Sequence, residues 1–141
     1  MELLIDTNVL LDLVLKRDNY LQASELFERI DKLGINAYIS ASAVTDLFFI
    51  IRRQTHDVEK TYQIMNKLLK LVSVLSVTSD DITSAFERKW RDFEDCVQYV
   101  TALNNHMGYI ISSNTKDFEE NKLQVLTIDD FLEKYSVDEH E

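Results

Sequence analysis

Residues 3–15 read LLIDTNVLLDLVL, and this stretch decides the fold. Leu3, Leu4 and Ile5 make the short apolar run that a buried strand needs, and Asn8–Leu15 has the capping and apolar spacing of a short helix. Asp6 stands between them. A carboxylate left unpaired at the end of a buried segment costs several kcal/mol unless something compensates it. Two readings of Asp6 follow: an N-cap for the helix, or a ligand for something positively charged. Thr7 and Asn8 are competent caps themselves, which leaves Asp6 free to point elsewhere.

Working outward, the strand-then-helix pattern repeats. The spacing predicts a helix over Asn19–Leu33, with Asn19 and Gln22 as a capping box and Gly34 at its end. Tyr38–Ile39 marks a second strand, followed by a helix from about Ser42 to Arg53. The next helix, Asp57–Leu71, places Val58, Tyr62, Met65, Leu68 and Leu69 on one face. Val74–Val77 is a third strand and runs into a capping box of Thr78 and Asp81. Helices over Asp81–Lys89 and Asp92–Asn105 precede a fourth strand, Tyr109–Ser112. Val125–Leu126 makes a fifth, before a last helix, Asp129–Tyr135, capped by Thr127 with Asp130 completing the box. Strands alternating with helices in this way indicate an α/β fold with a mostly parallel sheet of four to five short strands. We expect one domain over residues 1–135 and a polar, frayed tail over 136–141.

Composition narrows the chemistry. The 141 residues, 45% of them hydrophobic, suffice for one real core, and no run approaches the ~18–20 apolar residues of a membrane span. No basic segment leads into an apolar region with a small-residue cleavage site, and the single cysteine, Cys96, forms no internal disulfide, so a reducing, cytoplasmic setting is expected. With no prolines and only two glycines, the chain contains no glycine-rich phosphate loop and no nucleophile elbow. His56, His106 and His140 lack zinc-ligand spacing. Catalysis here must rest on carboxylates, hydroxyls and amides. The net charge of −10 opposes general nucleic-acid binding but suits acids gathered around metal cations.

In open α/β sheets ligands gather beyond the carboxyl ends of the strands, so the acids found there matter most. Asp6 follows the first strand, and Asp117, in YIISSNTKDF (109–118), follows the fourth. Asp95 lies in RDFEDCVQYVTAL (91–103), where Phe93, Cys96, Val97, Val100 and Leu103 have the spacing of a buried stripe. Asp92 is either a further ligand or a dipole-stabilised acid at the helix start. Asp46 sits in SASAVTDLFFII (40–51), one of the most apolar windows in the chain. Four such carboxylates repel one another without a cation, and Mg²⁺ or Mn²⁺ resolves the conflict because hard ions prefer carboxylate oxygens. Paired ions of this kind, about 3.5–4 Å apart, support hydrolysis of phosphodiesters. Thr7, Asn8, Ser112 and Asn114 are placed to orient ligands or hold phosphate.

LLIDTNVLLDL, AVTDLFFI, DFEDCVQYVTAL and YIISSNTKDF, in this order, resemble the successive motifs of PIN domains, and VLTIDDFLEKY is similar to the last strand and helix of that family. The resemblance covers almost the whole chain. It implies a three-layer α/β/α sandwich and a metal-dependent ribonuclease site in which Asp6, Asp46, Asp95 and Asp117 match the four acids and Asn114 a frequent polar position. The second acid is commonly glutamate in the family and is aspartate here. Compact bacterial members of this length are often VapC-type toxins, dimeric and inhibited by a small antitoxin. The expected function is thus an Mg²⁺- or Mn²⁺-dependent endoribonuclease acting on RNA. The basic segments Arg52–Arg53, Lys67–Lys70 and Arg88–Arg91 would guide the RNA backbone. The alternative is an inactive scaffold of the same fold that works through protein or RNA binding. A phosphotransferase using a strand-end DxD fits poorly, since Asn8 stands where the second acid belongs. Phe48, Phe49, Ile50 and Ile51 exceed what one helix face can bury, which suggests a second subunit or a partner helix.

Overall fold

The structure, a computed structural model, describes residues 1–136; the rest of the expected tail, residues 137–141, lies outside the described residues. Five strands, β1 (Glu2–Ile5), β2 (Asn36–Ser40), β3 (Ser73–Leu75), β4 (Tyr109–Ile111) and β5 (Val125–Leu126), form one sheet in the order β3-β2-β1-β4-β5. Every pairing is parallel. The helices are α1 (Thr7–Val14), α2 (Tyr20–Leu33), α3 (Ala41–Thr55), α4 (Val58–Leu71), α5 (Ser79–Arg88), α6 (Phe93–Asn104) and α7 (Ile128–Lys134).

Alternation along β1 sets the layers. Leu3 and Ile5 face a core shared with α1, α2, α3, α4 and α7, whereas Leu4 faces a second core shared with α5 and α6. All three are fully buried, as a strand covered on both faces requires. The result is the expected α/β/α sandwich. The chain moves outward from β1 to β2 and β3, then returns to β4 on the other side of β1. The crevice between the carboxyl ends of β1 and β4 is therefore the topological switch point, where such folds place ligands.

Local chemistry explains most boundaries. Thr78 and Asp81 form the expected reciprocal capping box at α5, and Thr127 accepts from the Asp130 N–H at α7. Gly34 closes α2 in the left-handed region at φ 66°, where a Cβ would be strained. Gly108 is required for space: a Cβ there would approach the Met1 side chain to 2.9 Å and the Glu2 carbonyl to 3.3 Å.

Several expectations need correction. Asn19 makes no side-chain cap, so no capping box opens α2. The third strand is Ser73–Leu75, ending before Val77. On α4, Met65 and Leu68 are buried as expected, but Val58, Tyr62 and Leu69 are exposed, because the wall between α3 and α4 stays open. That opening is a cleft of 540 Å³ lined by Val44, Phe48, Tyr62, Met65 and Leu69. Phe93 also leaves the expected stripe of α6, exposed and packed on Phe86 with ring centroids 4.8 Å apart. Cys96 is a core residue, as expected, and burial pushes its thiol up to about 11.

Candidate metal centre

The site begins with Asp6. Parallel pairing aligns Ile5 with Ile111, and the Asp6 N–H donates to the Ile111 carbonyl at 2.9 Å, so Asp6 and Ser112 emerge side by side. Ser112 Oγ donates to Asp6 Oδ2 at 2.7 Å. The Thr7 N–H and Gln98 Nε2 donate to Oδ1 at 2.7 and 3.2 Å. Both sequence readings of Asp6 bear on what is seen here: it is the N-cap of α1, although Thr7 and Asn8 are competent caps, and it also faces the crevice. Burial raises its pKa, while the hydrogen bonds from Ser112, Gln98 and Thr7 oppose that rise.

The same hydroxyl organises the opposite lip. Ser112 Oγ accepts from the Asn114 N–H at 3.0 Å, and Asn114 Nδ2 donates to Asp117 Oδ2 at 2.6 Å. A single 3-10 turn, Thr115–Asp117, brings Asp117 back over the crevice. From the third direction, Asp92 caps α6 by accepting from the Asp95 N–H at 3.0 Å. Asp92 therefore stands at the helix start, as one of its two readings has it, and also lines the crevice. Asp92, Asp95 and Asp117 each offer an oxygen within 4.8 Å of the others.

Six carboxylates line this cleft of 310 Å³: Asp6, Asp46, Asp92, Glu94, Asp95 and Asp117. Thr7, Asn8 and Asn114 share the lining, and no lysine or arginine does. Asp46 reaches it from α3, against the Glu94 carboxyl. Burial, then the neighbouring charges of Asp6 and Asp92, push Asp95 up to about 8. Burial and Asp46 push Glu94 up to about 7. Two further atoms are buried without a hydrogen-bond partner, Thr7 Oγ1 and Gln98 Oε1. Clustered acids and the orphaned Thr7 hydroxyl in one cleft make a donor set suited to a hard divalent cation and its waters.

The structure thus brings together all four acids expected as ligands, together with Asp92 and the expected polar group. The sequence reading does not single out Glu94 or Gln98. Their stripe of α6 reads merely as more polar than its neighbours, yet Asp95 through Ala102 are all buried. A polar side chain on a helix buried all round must have a polar target, a signal that emerges only once the burial of the helix is known. Of the basic segments, Arg88 is paired with Glu120 and does not serve the crevice. Lys67 and Lys70 are exposed on α4 and line none of the described clefts.

Comparison with known proteins agrees with this fold. Residues 2–116 match the sequence profile of the family described as PIN domain. Ribonuclease VapC1 of Aquifex aeolicus (strain VF5) is 21% identical over 138 residues, covering 94% of each chain. The fold is similar to that in VapBC2 from Rickettsia felis bound to a DNA fragment from its promoter, with TM-score 0.71 and 13% identity over 90% of this chain and 98% of that one. It is also similar to Mycobacterium tuberculosis VapC20, a sarcin-ricin loop cleaving toxin, with TM-score 0.64 and 15% identity over 77% and 86% of the two chains.

Proposed function

The chain belongs to the PIN domain family, and on that premise we propose that it is a divalent-cation-dependent endoribonuclease, the toxin of a toxin–antitoxin pair. The observation that carries this reading is the convergence of six carboxylates in one cleft, with no lysine or arginine in its lining, at the switch point of the sheet. A nuclease that hydrolyses a phosphodiester without histidine or cysteine needs such a site. The similarity to a ribonuclease and to a toxin that cleaves RNA supports the substrate class.

Asp6, Asp46, Asp95 and Asp117 are the proposed ligands of Mg²⁺ or Mn²⁺, joined by Asp92 and Glu94. When bound, such a cation polarises the scissile phosphate and makes water a competent nucleophile near neutral pH. The chain's own groups do the positioning. Ser112, Gln98 and the Thr7 N–H fix the Asp6 carboxylate, and Asn114 fixes Asp117. Glu94, lying against Asp46, makes up the reach that aspartate lacks relative to the glutamate more common in the family.

The antitoxin partner is supported by the likeness to a VapBC complex. The open apolar cleft between α3 and α4 supports a protein contact, with a partner or with a second copy of the chain. Among the described residues no helix is long and apolar enough to cross a membrane, in keeping with a cytoplasmic site of action. The test is direct. Purified protein with Mg²⁺ or Mn²⁺ should cut a mixed RNA pool and lose that activity in chelator. Uncut RNA, under conditions where a PIN-domain relative cuts, overturns the reading.

A further inference from the structure

A second cleft, of 290 Å³, adjoins the acidic one and is lined by Phe49, Arg52, Arg53 and His56. Phe49 lines both, so the two lie on either side of one residue. We infer that this cleft is a nucleotide subsite of the ribonuclease proposed above, holding one nucleotide of single-stranded RNA beside the scissile phosphate. Its base stacks on Phe49 and its phosphate lies against Arg52 and Arg53.

The chemistry on the two sides of Phe49 is complementary to a strand passing over it. An RNA backbone approaching six carboxylates is repelled except where cations meet it, and the other described cleft that carries cations, that of Arg91 and Lys116, holds three acids as well. Here two guanidinium groups and an imidazole converge within one cleft. His56 closes α3 in the left-handed region at φ 55°, its N–H bonded to the Arg52 carbonyl at 2.9 Å, and this turn brings its side chain to the wall that Arg52 and Arg53 share. Phe49 is 60% exposed even with the Arg53 guanidinium 5.7 Å from its ring centroid. A large aromatic ring held in the open beside arginines is the arrangement that binds single strands, because every base has a face to stack. The volume is near the lower end of the ~300–1,000 Å³ usual for ligand clefts, fitting one nucleotide rather than a duplex. Arg52 and Arg53 also suit the negative end of the α3 dipole, and a purely structural role of that kind is the competing account.

The inference rests on the ribonuclease reading, and the experiment separates the two. Binding of a labelled single-stranded RNA pool is measured by anisotropy in an Asp95→Asn background with Mn²⁺, and cleavage KM and kcat are measured in the parent chain. Arg52→Ala with Arg53→Ala should weaken binding by about tenfold or more and lower the salt slope by roughly 1.4, the share of two phosphate contacts on a single strand. Phe49→Ala should weaken binding by roughly 5- to 150-fold, and Phe49→Trp should restore it. KM should rise in the cleavage assay, while the Mn²⁺-induced rise in melting temperature stays as in the parent. Lys67→Ala with Lys70→Ala, which removes equal charge elsewhere, should change binding far less. Unchanged RNA binding in the arginine variant, or an equal loss in the lysine control, overturns the subsite. A parent chain that cuts RNA alongside such a result leaves the ribonuclease reading standing; a parent chain that cuts none, with no metal-induced stabilisation, overturns both.

Discussion

Asp95 shows what a single side chain does in this protein. It sits in the first turn of a buried helix, 9% exposed, near Asp6, Asp92 and Asp117, and its carboxyl is pushed up to about 8. Glu94 beside it is pushed up to about 7. Both pKa values lie above those of an unfolded chain, so their contribution to stability is full below about pH 4 and is lost as pH rises through 7 to 8. The metal-free protein should therefore melt at falling temperature between about pH 5 and 8. Saturating Mn²⁺ should flatten that slope, because the cation binds the charged form of the folded site. A melting curve at each pH, with chelator and with metal, checks both signs. Asp95→Asn should raise the metal-free melting temperature by about 3 °C, on the order of 1 kcal/mol, while cutting metal affinity and cleavage by roughly two orders of magnitude. Were the cluster only an exposed acidic surface, the substitution would leave all these quantities near the parent's.

At the scale of elements, α5 and α6 are locked together by one buried acid. Asp81, 2% exposed, caps its own helix and accepts from Asn104 Nδ2 at 2.7 Å and Thr101 Oγ1 at 3.3 Å across the interface. Burial disfavours its charge, yet the bonds from the Thr78 N–H, Asn104 and Thr101 outweigh that and hold its pKa below the usual range. Its contribution is thus present at neutral pH and lost under acid, opposite in sign to the Asp95 effect. Asp81→Ala should cost about 2–3 kcal/mol by chemical denaturation, and Thr78→Ala about 1 kcal/mol. Because the two side chains bond reciprocally, the double variant should lose less than the sum. Strict additivity would show that the capping box does no joint work.

The sequence disclosed elements of this kind unevenly. β1, α6 and the Thr78–Asp81 box were legible because each is set by local pattern: an apolar run, a 3–4 period, a cap spacing. Asn19 had the right spacing and makes no cap, since spacing alone does not fix the backbone conformation that a cap needs. The apolar face of α4 was legible as a stripe, but which part of it would be covered depends on how far α3 stands away. All four expected acids line one cleft: Asp6 and Asp117 were legible because strand ends report the sheet edge directly, Asp46 and Asp95 because an acid in an apolar helical window needs a polar target. Glu94 and Gln98 escaped notice because their significance depends on α6 being buried all round, a tertiary fact.

For the whole molecule, the strand order matters most. It places β1 and β4 side by side, so that Ser112 donates to the Asp6 carboxylate and the other acids of the crevice gather around that pair. Around the crevice the surface is divided between an acidic cleft, a basic shoulder and an open apolar groove, each suited to a different partner. If the groove joins two copies of the chain, light scattering should show mass doubling with concentration, and Tyr62→Glu or Leu69→Glu should hold the protein monomeric. Unchanged mass in those variants would place any dimer contact elsewhere. The most direct test of the central claim is an anomalous difference map from a crystal soaked in Mn²⁺. A peak in the crevice, about 2.1 Å from oxygens of Asp95, Asp117 or their neighbouring acids, is the predicted result. An empty crevice at saturating Mn²⁺, or a lysine or arginine seated among the carboxylates in its place, would contradict it.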